Sequence, residues 1–200
     1  MNPMKTKKRA LLVIDPQKVY TSKDSELYSK DCKKTIEKIN LVIKAFEKKQ
    51  LPIIFVRHQH KANGSDLGRM FDFLGEKPES FNFKEGTNEI EYDDALIKPK
   101  NFSEVIKNRY SAFVGTDLKQ RLDKAGVTDL VITGFMTNFC CESTAREAHD
   151  LDYFVDFILD ATGTPGTETM NEKEVRKAVG DFMGLGFARV SSTKSFLKSM

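Results

Sequence analysis

Apolar residues along the chain fall into two rhythms. A continuous apolar run at Ala10–Ile14 (ALLVI) and mostly apolar stretches at Leu51–Val56 (LPIIFV), Val127–Thr133 and Tyr153–Leu159 have the aliphatic, β-branched character of strands buried on both faces. Between them, apolar residues recur every three or four positions. Asp31–Lys48 sets Ile36, Ile39, Val42, Ile43 and Phe46 on one side and lysines on the other, the pattern of an amphipathic helix. A second helix starts at a Thr116 or Asp117 cap, carries Leu118 and Leu122, and stops at Gly126. A third starts at Thr137 or Asn138, with Cys140 in its first turn and Ala145, Ala148 and Leu151 beyond. Asn171 and Glu174 form a capping-box start for a fourth, whose buried side is Val175, Val179, Phe182 and Met183. Ser103–Ile106 and Phe187–Ser191 are two further short strands, and Thr193–Met200 reads as a closing tail. Strand and helix alternate, so the pattern predicts a doubly wound α/β fold.

The connection from Lys61 to Lys100 lacks a clear period. It holds Gly64, Gly68, Gly75 and Gly86 and the aromatics Phe71, Phe73, Phe81, Phe83 and Tyr92, as expected of a segment that covers a pocket or a subunit interface. Two hundred residues suit one domain spanning 1–200. Thirty-two basic residues against 29 acidic ones leave a charge of only +3, which gives no reason to expect nucleic acid as a partner. The cluster Lys5, Lys7, Lys8 and Arg9 reads as a solvated lead-in to the first strand. No apolar run approaches the ~20 residues of a membrane span, and ALLVI is too short for the core of a signal peptide. The three cysteines, Cys32, Cys140 and Cys141, do not form a disulfide framework. A cytoplasmic location is the expectation.

The chemistry collects where strands end. The strand–helix–strand unit around Cys140 is a parallel crossover, so Cys140 lies at a strand's carboxyl end and a helix's amino end. Open α/β sheets bind ligands there, and the helix terminus favours a thiolate. Asp15 follows the first strand in Asp15-Pro16-Gln17, and Lys107 follows Ser103–Ile106. An acid, a lysine and a thiol on one edge form a coherent nucleophilic set. Cys140 would attack a carbonyl carbon, Asp15 would take the thiol proton and return it to the leaving amine, and Lys107 would lower the thiol pKa. Backbone N–H groups of Met136 and Cys140 would form the oxyanion hole. The three histidines, His58, His60 and His149, are read as unsuited to the role of base. His58 and His60, at i, i+2 beyond the second strand, read as exposed polar edge, with Asp66 the only nearby acid in the loop.

Four segments carry a family resemblance: LLVIDPQKVY, EGTNEI, VIKNRYSAFVGTDL and GFMTNFCCESTAREA. In their order and spacing the chain resembles the isochorismatase-like cysteine hydrolase superfamily, which includes nicotinamidases, N-carbamoylsarcosine amidohydrolases and isochorismatases. The resemblance runs from about Ala10 to Thr193. It implies a three-layer αβα sandwich with a Rossmann-like parallel sheet of about six strands. It implies an Asp15–Lys107–Cys140 triad, a non-proline cis peptide bond between Phe135 and Met136, and a homodimer or homotetramer. Gln17, Tyr20, Arg109, Phe113 and Phe139 are the substrate-binding candidates: Arg109 for a substrate carboxylate, Phe113 and Phe139 as pocket walls or plain core.

Departures sharpen the expectation. Nicotinamidases hold a metal with an Asp-x-His motif after the second strand, and His58-Gln59-His60 lacks that aspartate, so no cofactor is expected and a metal near His58 and His60 is disfavoured. Some isochorismatases lack the cysteine, so Cys140 favours cleavage of a C–N bond in a small amide or carbamoyl compound. The alternatives are vinyl-ether hydrolysis led by Asp15, and a non-catalytic flavodoxin-like binding module.

Overall fold

Six strands form one parallel sheet in the order β3-β2-β1-β4-β5-β6 in the computed structural model, which describes residues 8–70, 72 and 81–200. The strands are β1 (Arg9–Ile14), β2 (Ile53–His58), β3 (Ser103–Lys107), β4 (Asp129–Phe135), β5 (Phe154–Gly163) and β6 (Arg189–Ser191). The helices are α1 (Lys18–Thr21), α2 (Cys32–Lys48), α3 (Leu118–Ala125), α4 (Glu142–Asp150), α5 (Glu172–Gly186) and α6 (Thr193–Ser199). Alternate residues of β1 serve opposite faces. Leu11 and Val13 join Ile36, Ile39, Val42, Ile43 and Phe46 of α2 and Phe196 of α6. Ala10, Leu12 and Ile14 join residues of α3, α4 and α5, among them Leu122, Ala145, Ala148, Val175 and Met183. Both faces of β1 are fully buried, which is why its sequence is continuously apolar rather than alternating. The result is the expected three-layer αβα sandwich.

The chain leaves β1 for β2 on one side and later for β4 on the other, so the order reverses at β1. A crevice opens at such a switch point beyond the carboxyl ends of the flanking strands. Asp15, His58, Lys107 and the turn after β4 all reach that edge.

Several local expectations hold: Gly126 is left-handed at φ 66° beyond α3, and Asn171 and Glu174 make the reciprocal capping box of α5. Others are corrected. Phe182 is 58% exposed, because Val175, Val179 and Met183 define the buried stripe of α5 and Phe182 lies about 100° around the helix from Met183. The tail after Thr193 is helix α6: Ser192 caps it by accepting from the Ser195 N–H, and Phe196 packs beside Phe46. Phe187 ends α5 and is not part of β6. Strand β5 runs past Asp160 to Gly163, with a register break opposite Ile132 and Gly134. Neither Thr137 nor Asn138 caps a helix; a π-turn over Thr137–Cys141 precedes α4. Phe71, Phe73, Gly75, Lys5 and Lys7 lie outside the described residues.

Candidate active site

Strand β1 ends against Pro16, which has no N–H to continue the ladder. Asp15 is held at φ 45°, a left-handed conformation that non-glycine residues adopt at a cost of order 1–3 kcal/mol. Its N–H is fixed by the Val56 carbonyl at 2.9 Å, and its carbonyl accepts from Gln17 N–H at 2.8 Å. The bend turns the carboxylate into the crevice. Lys107, the last residue of β3, reaches the same point with a fully buried side chain. Its Nζ lies 2.8 Å from Asp15 Oδ2, 3.2 Å from Cys140 Sγ and 3.0 Å from the Arg109 carbonyl. An ammonium has three donors, and three acceptors meet them.

Burial governs the electrostatics. It pushes the Asp15 carboxyl up from its ordinary range, with the Lys107 ammonium pulling the other way. Lys107 itself is held above the usual lysine value, because Asp15 and Cys140 outweigh its loss of water. The Cys140 thiol is pushed up to about 12 by burial first, then by Asp15, against the pull of Lys107. The ammonium favours the anion, whereas burial and the neighbouring carboxylate favour the neutral thiol. The acceptor for that proton is adjacent.

The turn bearing the nucleophile is anchored from β5. Thr137 Oγ1 donates to Thr162 Oγ1 at 2.9 Å, which donates to the Leu159 carbonyl at 2.9 Å, and Thr164 Oγ1 donates to Asn138 Oδ1 at 2.9 Å. These bonds use the polar side chains that would otherwise cap a helix. The Cys141 N–H bonds the Met136 carbonyl at 3.1 Å, an i to i−5 bond of the π type that recurs at functional sites. The Phe135–Met136 peptide is cis.

The remaining candidates divide. Gln17 is wholly committed to protein backbone: Nε2 donates to the carbonyls of His58 and Ile90 at 2.9 and 3.0 Å, and Oε1 accepts from His58 N–H at 2.8 Å. Tyr20 is buried and stacks on Phe135 at 5.4 Å. Phe113 lies in the core and stacks on Tyr153 at 6.1 Å. Nη1 of Arg109 donates to the backbone carbonyls of Asp66 and Asn108 at 2.8 and 2.5 Å. Phe139 is 39% exposed beside the nucleophile and pairs with Tyr110 at 5.2 Å. Tyr110 escaped the sequence reading, although its place three residues after Lys107 was the available signal. A cavity of about 300 Å³, lined by His60, Asp66, Lys107 and Asn108 among others, opens on this edge. The larger clefts, about 580 Å³ between α5 and β6 and about 440 Å³ around Phe154, hold no triad residue.

The histidines depart from expectation. His58 and His60 are 1% and 0% exposed, not a solvated edge, because Phe83 from the long connection stacks on His58 at 4.1 Å. A ring nitrogen of His58, a carboxylate oxygen of Asp15 and Cys140 Sγ all lie within 4.8 Å of one another, so His58 adjoins the triad after all. The Lys107 ammonium already occupies the space between Asp15 and Cys140. Among the described residues no third donor joins the Nε2 atoms of His58 and His60, since Asp66 faces the other nitrogen of His60.

The comparisons with known proteins agree with this geometry. The Isochorismatase domain model matches residues 9–195. Nicotinamidase 3 of Arabidopsis thaliana is 33% identical over 195 residues, covering 96% of this chain and 88% of the relative. The ureidoacrylate amidohydrolase RutB of Stutzerimonas stutzeri is 29% identical over 220 residues, covering 98% and 84%. The crystal structure of a cysteine hydrolase from Pseudomonas syringae pv. phaseolicola superposes with a TM-score of 0.87 at 26% identity, covering 96% of this chain and 91% of that one. The strand order, the edge that gathers Asp15, Lys107 and Cys140, and a family match over nearly the whole chain lead to one assignment: the protein belongs to the isochorismatase family of hydrolases.

Proposed function

We propose that the protein is a cysteine amidohydrolase that cleaves the C–N bond of a small amide or carbamoyl substrate. The observation that carries this reading is the closed contact among Asp15, Lys107 and Cys140, at 2.8 and 3.2 Å through the ammonium. Sγ attacks the carbonyl carbon as its proton passes to the Asp15 carboxylate, so the thiolate forms only as the bond forms. The Lys107 ammonium balances the negative charge left on the site. The N–H groups of Met136 and Cys140 receive the oxyanion, and loss of one such donor typically costs about 3 kcal/mol of transition-state stabilisation. Asp15 returns the proton to the nitrogen, the C–N bond breaks, and an amine or ammonia leaves a Cys140 thioester. Water then attacks, gives its proton to Asp15, and releases the acid while Sγ regains a hydrogen. A base whose pKa is raised by burial suits both transfers.

The test is release of ammonia from primary amides and ureido compounds, with nicotinamide and ureidoacrylate as the first members because relatives are named for them. Turnover by the wild type, abolished in Cys140→Ala, supports the reading. Ammonia release that survives Cys140→Ala would overturn Cys140 as the nucleophile.

A further inference from the structure

His58 is fixed on every side but one. Its backbone N–H and C=O are both clamped by Gln17, its ring face is covered by Phe83, and its Nε2 lies 3.1 Å from His60 Nε2. The Nδ1 atom of His58 is buried and makes no hydrogen bond with any described residue. Beyond His60 stands Asp66, whose Oδ1 is 3.5 Å from His60 Nδ1. The Asp66 carboxylate is itself held by the Lys61 N–H at 3.0 Å and the Asn108 amide at 3.1 Å.

Proton positions follow from this arrangement. Two Nε2 atoms at 3.1 Å share one proton, so one ring donates and the other accepts. A carboxylate facing His60 Nδ1 favours the proton there and opposes a lone pair. His60 Nε2 is then the acceptor, and His58 donates through Nε2. The same order leaves a bare lone pair on His58 Nδ1. Burial first, then the charges of Lys107 and Arg109 and the neighbouring His60, hold His58 well below the usual histidine range, so a neutral ring is the stable form.

We propose that Asp66, His60 and His58 form a proton-ordered chain that presents His58 Nδ1 as a hydrogen-bond acceptor for an N–H on the leaving nitrogen of the substrate. The inference rests on the amidohydrolase reading above and narrows its substrate class. A neutral acceptor on His58, a ring nitrogen of which lies within 4.8 Å of Asp15 and Cys140, selects primary amide and carbamoyl nitrogens over esters and tertiary amides. Asp66 and His60 are positioning residues in this scheme, and only His58 touches substrate.

The first test reads the proton order itself, without turnover. Side-chain ¹⁵N spectra of the full chain contain three histidines, and a His149→Gln variant assigns the exposed one. The expected result is His58 protonated on Nε2 and His60 on Nδ1. A proton on His58 Nδ1, or a doubly protonated ring, overturns the proposal. The second test compares alkylation of Cys140 by iodoacetamide and by 2-iodo-N,N-dimethylacetamide, each scaled to its rate with a free thiol and followed by mass spectrometry. Wild type is expected to prefer the N–H reagent by about tenfold, the size of one hydrogen bond, and His58→Phe to lose that preference. Equal preference in wild type and variant rejects the proposal alone. If Cys140 reacts with neither reagent, the nucleophile assignment falls and the proposal falls with it. The ¹⁵N arm decides the proposal if His58→Phe does not fold.

Discussion

Gly134 of β4 pairs in register with Ile14 of β1 so closely that a Cβ on Gly134 would lie 1.9 Å from the Ile14 carbonyl oxygen. Its φ of 122° is also closed to other residues. The two strand ends that present Asp15 and Cys140 are brought together at this point. Gly134→Ala is therefore expected to destabilise the protein by at least about 3 kcal/mol, because the obstacle is backbone and cannot swing aside. The urea midpoint of the variant measures this, and an unchanged midpoint would refute the close approach.

The pH dependence of the resting nucleophile follows from its burial. The deprotonated sulfur is the form that alkylates, and below its pKa that form grows about tenfold for each unit of rising pH. With the Cys140 thiol pushed up to about 12, its alkylation should climb without a plateau between about pH 7 and pH 10, past the free-thiol value of ~8.5. Lys107 pulls the thiol pKa down, so Lys107→Ala should react more slowly still across that range. A plateau below ~8.5 in wild type would show a resting thiolate and a different distribution of charge.

Thr162 links the nucleophile turn to β5, accepting from Thr137 and donating to Leu159 at 2.9 Å each. Thr162→Val keeps the shape, strips the hydroxyl and leaves buried partners unmet. The expected loss is about 1–3 kcal/mol of stability. A fall in kcat with KM little changed should accompany it, because the loosened turn carries Cys140. Thermal melts and steady-state kinetics on an amide that the wild type turns over check both. A variant with unaltered melting and kcat would show that the threonine chain does not hold the turn.

The order of elements was legible because the middles of β1, β2, β4 and β5 are buried on both faces and their side chains record it as predominantly apolar stretches. Caps at Gly126 and Asn171 were readable because a left-handed turn and a reciprocal hydrogen bond each require particular residues. The edge that gathers Asp15, Lys107 and Cys140 was legible too, since a parallel crossover places successive strand ends on one side.

Where a choice depends on what another segment covers, the local sequence was silent. His58 and His60 look like solvated edge until Phe83, more than twenty residues on, closes over them. Phe182 keeps a helical apolar spacing yet faces outward, since the register of α5 against β5 and β6 selects the stripe. Gln17 carries the right chemistry for a substrate, but its amide is taken up by the backbone of His58 and by the Ile90 carbonyl, brought in from the long connection. The thiol shows the division most directly. Its position at a strand end and a helix start is a property of the chain and favours the anion. Its protonation depends on how completely the fold removes water and how near it sets a carboxylate, so desolvation, a property of the assembled molecule, has the final say.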